Sequence, residues 1–355
     1  MKIAITADCH LRSDNDRPAR YAALENILEQ MLALEIGTLM VAGDLFDRDA
    51  NNYAAFEKLL GQERFSGLKI IAIRGNHDVH LRGDDFTSKN FQVIETWTWM
   101  RNAASGVDFL LIPYMCDVSM AEALEQAHQQ YQPAGGWALI AHGSYLPGSR
   151  DVDPYERGVY MPLMGADLQR YRPARVFLGH THKAYHSRSV VIPGSPCGMD
   201  ITESGKRTFI AFDTASRTIE RRTVDSETIY MDETITITPG DDVAALITGA
   251  IEAVFAKWDI AADERTKVVM RLRVNGYTAH IQQTKGVIEE TLQDIKKYQD
   301  APIDYADLKI SRDLERDFIV KQFEAQLKQA LQEQRIDSGL KDAIRRHALD
   351  LIYGE

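Results

Sequence analysis

The chain is short of cysteine. It has three in 355 residues, Cys9, Cys116 and Cys197, an odd and widely spaced set. That excludes a disulfide framework and a Cys-x-x-Cys zinc site, and it predicts a reducing compartment. No run of about 20 apolar residues occurs, so no membrane-spanning helix is expected. The opening MKIAITADCH goes straight into apolar alternation without a long apolar leader, and a soluble cytoplasmic protein with no membrane association is expected. Positive charge is in deficit, with 41 Lys+Arg against 52 Asp+Glu and a net charge of −11. Taken alone, that argues against nucleic acid or an anionic membrane as partner. The argument weakens if acids hold cations, because two divalent ions offset about four negative charges. Internal repeats, low-complexity tracts and proline-rich linkers are missing as well.

What is present is a core-forming composition, 45% hydrophobic and 26% charged, in a length that suits one large domain or two. Short apolar runs predict strands at 2–7, 38–43, 68–75, 107–115, 136–143 and 174–180. The stretch 17–36 and the segment YAAFEKLLG carry the helical period between the first of them. Apolar strands alternating with helices predict an α/β sheet covered on both faces. SRSVVIPGSP, RTFIAFD and RTIERRTV then read as strands joined by tight turns. Near residue 225 the texture changes to an alternating strand, MDETITITPG, a helix over 241–258, a strand KVVMRLRVNG, a helix in TKGVIEETLQDIKKY and a strand in YADLKISR. This predicts a first domain at 1–225, a small α+β domain at 226–312 and a helical tail at 313–355. In the tail, Phe323, Leu327, Ala330 and Leu331 line one helix face, and Leu340, Ile344, Ala348, Leu351 and Ile352 line another.

The carboxyl ends of the early strands share one kind of chemistry. Asp8 and His10 follow KIAIT; Gly43, Asp44 and Asp47 follow TLMVA; Gly75, Asn76, His77 and Asp78 follow KIIAIR; His142 follows WALIA; and Gly179, His180 and His182 follow RVFL. Open α/β sheets bind ligands at that end of their strands. Residues i and i+2 of an extended segment point the same way, so Asp8 with His10 and His180 with His182 can each aim two donors at one place. Glycines before Asp44, Asn76 and His180 suit turns where backbone must approach closely. Any one of these groups has a bland reading as a turn or a surface pair. Five together at strand ends predict a metal site of imidazole, carboxylate and amide oxygen, a donor set for manganese, iron or zinc rather than magnesium or calcium.

At DCH (8–10), GDLFD (43–47), GNHD (75–78), AHG (141–143) and GHTH (179–182) the chain resembles the calcineurin-like metallophosphoesterases over roughly its first 215 residues. Within that superfamily, IPGSP (192–196) and ESGKRTFIAFD (203–213), with the order of domains, resemble SbcD-type nuclease subunits of double-strand-break repair, phage-encoded relatives included. The resemblance implies a two-sheet α/β/β/α sandwich with a small α+β cap and a C-terminal helical pair. It implies one metal held by Asp8, His10 and His182, another by Asn76, His142 and His180, and Asp44 bridging both, with manganese the expected ion. His77 would act on the scissile phosphate, and Asp47 would orient His77. The implied activity is 3′-to-5′ exonuclease and single-strand endonuclease action on DNA, with an SbcC-like coiled-coil ATPase docked on the tail helices and a homodimer as the working form. The alternatives are a phosphodiesterase or phosphatase acting on small nucleotides or phosphoproteins, and a scaffold in which the core serves assembly. Arg12, Arg17, Arg74, Arg82, Lys89 and Arg150 are candidate phosphate contacts whose bland reading is solvated surface. Cys9, between two inward-facing donors, is expected to point into the core, Cys197 to be structural, and His80 and His186 to stay outside the metal set.

Overall fold

Strands that are apolar on both sides need cover on both sides. A computed structural model of the chain describes residues 1–12, 18–101, 106–133, 136–148, 158–240, 242–298 and 303–354. In strand Lys2–Thr6, Ile3 and Ile5 enter one apolar layer while Ala4 enters another. Lys2–Thr6, Thr38–Val41, Lys69–Ile73 and Phe91–Ile94 run parallel in that order. Thr208–Asp213 and Ile219–Thr223 extend the sheet antiparallel beside Lys2–Thr6. A second six-stranded sheet is built on Asp108–Ile112, Trp137–His142, Arg175–Gly179 and Val190–Ile192, again parallel. Its edges are the antiparallel strands Thr98–Met100 and Tyr185–His186.

The sheets share an inner layer of Ile5, Met40, Ile71 and Phe212 from one and Phe109, Leu111, Ile140 and Phe177 from the other. At roughly 1.5–3 kcal/mol per buried large apolar side chain, this layer fixes where the strand ends stand. Helices Pro18–Ala33 and Ala54–Leu60 cover the outer face of the first sheet through Leu24, Ile27, Leu28 and Phe56. Helices Met120–Gln130 and Gly165–Tyr171 cover the second through Ala123, Leu124, Ala127 and Leu168. The result is the α/β/β/α sandwich. Helix Met120–Gln130 falls outside the sequence reading, yet its start is encoded: Ser119 Oγ accepts from Glu122 N at 3.2 Å, and Glu122 accepts from Ser119 N at 2.7 Å. Trp99 packs edge-on against Trp137 and Tyr131 and donates to Ala127 O, so it is a packing residue.

The described residues fall into two compact units, Met1–Gly198 with Lys206–Glu227, and Met199–Gly205 with Thr228–Glu355. In the second, Val268–Thr278 is the central strand. It pairs in parallel with Ile229–Ile237 on one side and with Lys296–Lys297, Ile303–Asp304 and Leu308–Ile310 on the other. Val268, Met270, Leu272 and Val274 pack under helices Val243–Lys257 and Ile281–Thr291. The alternate positions include Arg271 and Arg273, and Arg271 pairs with Asp232.

Helices Leu314–Gln332 and Lys341–Tyr353 belong to this second unit. They bury Val320, Leu327, Leu349 and Tyr353 around Tyr277, and Tyr353 stacks on Tyr277 at 3.8 Å. Leu351, on the same sequence stripe as Ile344, Ala348 and Ile352, is 70% exposed. The reason is polar: Asp317 takes hydrogen bonds from Tyr353 and Ser311, and Arg316 donates to Tyr353 O at 2.7 Å, which fixes the face that turns in. Among the described residues no helix is long and apolar enough to cross a membrane.

Candidate metal centre

All seven residues expected as ligands converge at the carboxyl ends of the parallel strands. The loops are sewn together by backbone: Asp8 N donates to Gly43 O and His10 N to Asp44 O, both at 3.0 Å. The two sheets are joined by His142 Nδ1, 2.9 Å from Ala42 O, and by His180 N, which donates to Asp8 Oδ1 at 2.9 Å. Ligand atoms of Asp8, His10 and His182 lie within 4.8 Å of one another, and so do those of Asp8, Asp44 and His142. Asn76 Oδ1 is 2.9 Å from His142 Nε2 and 3.0 Å from His180 Nδ1. Asp44 Oδ2 stands between the two sets, 3.7 Å from His10 Nε2 and 3.5 Å from His142 Nε2.

The local backbone differs from the extended geometry that the i, i+2 spacing suggested. Strand Lys2–Thr6 has ended before Asp8, and Arg175–Gly179 before His180. Asp8, His10, Asp44 and His180 hold φ of +54°, +46°, +51° and +97°. Each such residue costs on the order of 1–3 kcal/mol, and such strain persists where the surroundings over-determine it. The donors of each pair therefore converge through left-handed turns rather than a strand pleat. Gly43, with φ +88°, and Gly75 have no room for a side chain, since a Cβ would strike the His142 ring and the Asp44 carboxylate respectively.

The donor chemistry fits divalent cations. His142 Nδ1 is held against Ala42 O, and its Nε2 faces two oxygens, Asn76 Oδ1 at 2.9 Å and Asp44 Oδ2 at 3.5 Å, so imidazole, amide and carboxylate donors meet at one place. Burial pushes His10 down to about 3 and His180 down to about 4, so both imidazoles are neutral donors of electron pairs. Burial also pushes Asp8 up to about 7 and Asp78 up to about 6, the direction expected of carboxylates that lack a balancing charge.

His77 stands at the edge of this cradle. Its side chain is 31% exposed, against 2% for His10 and 0% for His142. Its backbone N donates to Asp44 Oδ1 at 2.8 Å, and its Nδ1 lies 3.2 Å from Asp47 Oδ1. Its ring also comes within 4.8 Å of ligand atoms of His10 and Asp44, so the tie to Asp47, rather than proximity, sets it apart from the seven. Asp47 is the hub of that edge. Burial pushes it up, but hydrogen bonds from Arg12, His77 and Arg20 outweigh burial and hold it well below the usual carboxylate range.

Two supporting residues, Arg20 and Arg207, escape the sequence reading, and Asp78 is named there without a role. Arg20 is buried, donates to the His10 carbonyl and reaches Asp47 Oδ2 at 3.2 Å. Its signal is a charge on the stripe that continues as Leu24, Ile27, Leu28 and Met31. Arg207 holds the loop that carries His182, donating to Ser195 O at 2.9 Å and to the His182 carbonyl. Asp78 accepts from Gly75 N at 2.6 Å and Phe46 N at 3.1 Å, joining two site loops. Of the six candidate phosphate contacts, Arg12 pairs with Asp47 and Arg74 with Glu95, while Arg82 and Lys89 are exposed. Arg17 and Arg150 lie outside the described residues. Cys9 and Cys197 are buried in the helix-side core, and burial pushes the Cys9 thiol up, away from thiolate. His80 and His186 are exposed and belong to none of the ligand groups.

Sandwich and cradle together define a scaffold for dinuclear-metal chemistry. The particular family follows from sequence: the model of the calcineurin-like phosphoesterase family matches residues 1–184, just over half of the 355. The chain belongs to that family, whose members are metal-dependent phosphoester hydrolases. Among curated proteins no sequence matches significantly. Solved structures similar to the chain include TT1561 of Thermus thermophilus, at 16% identity and a TM-score of 0.41 over 62% of this chain and 98% of that one. GAP50, described as the anchor in the inner membrane complex of Plasmodium, is 10% identical with a TM-score of 0.40 over 63% and 89%. A dimetal phosphatase from Danio rerio is 12% identical with a TM-score of 0.40 over 63% and 96%.

Proposed function

We propose that the chain is a two-metal DNA nuclease subunit, a 3′-to-5′ exonuclease and single-strand endonuclease that works in DNA end processing with an SbcC-like ATPase. The observation that carries the hydrolytic part is the convergence of amide, imidazole and carboxylate donors from Asn76, His142 and Asp44 on one place. Asp8, His10 and His182 would hold one ion, Asn76, His142 and His180 the other, and Asp44 both. Manganese suits the mixed imidazole, carboxylate and amide set, with iron and zinc as alternatives. What divalent ions supply in such a site is activation of water and neutralisation of phosphoryl charge.

The chain's own residues do the rest. Asp47 accepts from His77 Nδ1, which fixes the ring and leaves Nε2 for the substrate. From there His77 gives a proton to the leaving oxygen or a hydrogen bond to the phosphoryl group. Arg12 and Arg20 keep Asp47 ionised, so His77 retains its partner.

The DNA part is supported by the resemblance at IPGSP and ESGKRTFIAFD and by the α+β second unit. The ATPase partner is supported by exposed apolar side chains on the tail helices, Leu314 at 84%, Leu351 at 70% and Phe318 at 60%. A homodimer belongs to the same reading. The test is to assay the purified chain with manganese on labelled linear and single-stranded DNA, on bis-p-nitrophenyl phosphate and on small nucleotides. Shortening of DNA is expected. Turnover of small nucleotides or of phosphoproteins with DNA left intact would overturn the nuclease reading in favour of the alternative. For the partner, Phe318→Asp with Leu351→Asp should abolish capture of an SbcC-like coiled coil, and unchanged capture would refute the docking face.

A further inference from the structure

A groove of about 430 Å³ opens beside the loop that carries His180 and His182. Its apolar walls are Tyr145, Pro147, Tyr185 and Ile192, and Thr181 and Lys183 also line it. That volume is within the range of small-ligand sites, roughly 300–1,000 Å³. Thr181 sits between two cradle histidines and Lys183 directly follows the second, so the groove begins one residue, about 3.8 Å of chain, from the metal centre.

The two tyrosines are held differently from ordinary surface rings. Tyr185 is 44% exposed, yet its strand pairs with Val190–Ile192, and Arg221 donates to the Tyr185 carbonyl at 3.3 Å and to Ile192 O at 3.3 Å. Tyr145 lies on the short strand paired with Leu163–Met164 and is tied by a hydrogen bond to Ser187. The ring centroids are 6.0 Å apart at 45°, so the pair forms an angled apolar wall rather than a closed stack. None of the lining residues is acidic, in a chain of net charge −11. Among the described residues Lys183 makes no ion pair.

We propose that this groove is a nucleobase subsite, in which the base next to the scissile phosphate stacks on Tyr185 against the Tyr145 wall, and Lys183 meets the flanking phosphate. The inference rests on the reading of the chain as a nucleic-acid phosphodiesterase, and it adds where the substrate is gripped. A rigid aromatic face, an unpaired cation and the absence of carboxylates suit a stacked base with its phosphate. The grip is independent of base identity, because every base offers a π-face. It also supplies local attraction for DNA that the overall charge of the chain does not.

The test compares thymidine 5′-p-nitrophenyl phosphate with methyl p-nitrophenyl phosphate, a diester without a base, in the manganese-loaded full chain. The wild type should favour the nucleoside ester in kcat/KM by roughly 5- to 150-fold, the span that one base–aromatic stack gives. Tyr185→Ala should bring that ratio close to one, and Tyr185→Trp should restore it. A separate reading uses a single-stranded oligonucleotide ending in 2-aminopurine, mixed with the chain in chelator. Its fluorescence should be quenched by the wild type and by Tyr185→Trp, and not by Tyr185→Ala. Equal use of both diesters by the wild type, or an unaltered ratio in Tyr185→Ala, overturns the subsite and leaves the hydrolase reading standing. If neither diester is cleaved, the hydrolase reading fails, and the quenching series still decides whether the groove binds a base.

Discussion

Asp8 and Asp47 are carboxylates on neighbouring loops with opposite fates. Asp8 is fully buried, and burial pushes it up to about 7 against the opposing pull of His142. Asp47 is also driven up by burial, but Arg12, Arg20 and His77 reverse the effect and keep it ionised. The first surrounding leaves negative charge unbalanced and calls for an external cation. The second has its own cations built in and calls for none. One site therefore has two halves, a cradle for metal and an edge that holds His77, and the sign of each carboxylate's shift separates them.

The comparison predicts different failures on either side. Asp44→Asn removes the oxygen that stands between the two halves of the cradle. It should lower bound metal below two per chain and reduce turnover by about 10³-fold or more, since each ion is worth several kcal/mol to the transition state. Metal analysis of the purified variant checks this, and two ions at full occupancy would refute the bridging position. His77→Gln should instead keep both ions and lose about 10²-fold or more in kcat, the scale of general acid assistance. Near-wild-type turnover would remove His77 from the chemistry, and lost metal would move it into the cradle.

How much of this was legible in the sequence depends on the range of the forces involved. The strand cores were readable because burial on both faces leaves a local trace, as in KIAIT or RVFLG. The donors were readable because strand ends point one way in a parallel sheet. The turn geometry was not, since the left-handed φ of Asp8 and His10 is set by hydrogen bonds to Gly43 O and Asp44 O, more than 30 residues away. Nothing local assigns Arg20 its role, because its partners His10 and Asp47 lie on other segments. Which face of the tail turns in was not legible, because a polar cluster of Asp317, Ser311 and Tyr353 orients the helices. These points share one cause, a polar contact between segments separated in the chain.

Asp47→Asn sharpens the contrast at smaller scale. The amide keeps the shape but loses the charge that holds Arg12, Arg20 and His77 together. Supporting residues of this kind are worth about 10–100-fold. The loss should fall in kcat with the metal count intact, and a variant that loses metal would put Asp47 in the cradle.

Asp232 in the second unit is the control, a carboxylate held down by arginine with no imidazole among the groups that shift it. Its hydrogen bond from Arg271 depresses it, with Arg273 adding to the effect. Arg271 Nε and Nη2 reach its two oxygens at 3.0 and 2.6 Å. Since the folded-state value is lowered, the pair stabilises the unit fully above the unfolded value of about 3.9. That contribution fades as pH falls through the lower, folded value. Asp232→Asn should therefore cost about 1 kcal/mol at neutral pH, the upper end for a partly exposed pair. The gap from wild type should stay constant down to about pH 4 and then close in stronger acid. Urea titrations of both chains at neutral pH and at about pH 2.5 measure it. A gap as wide in acid as at neutrality would mean that Asp232 contributes through shape rather than charge, and the division of carboxylates by the groups around them would then need a cause other than electrostatics.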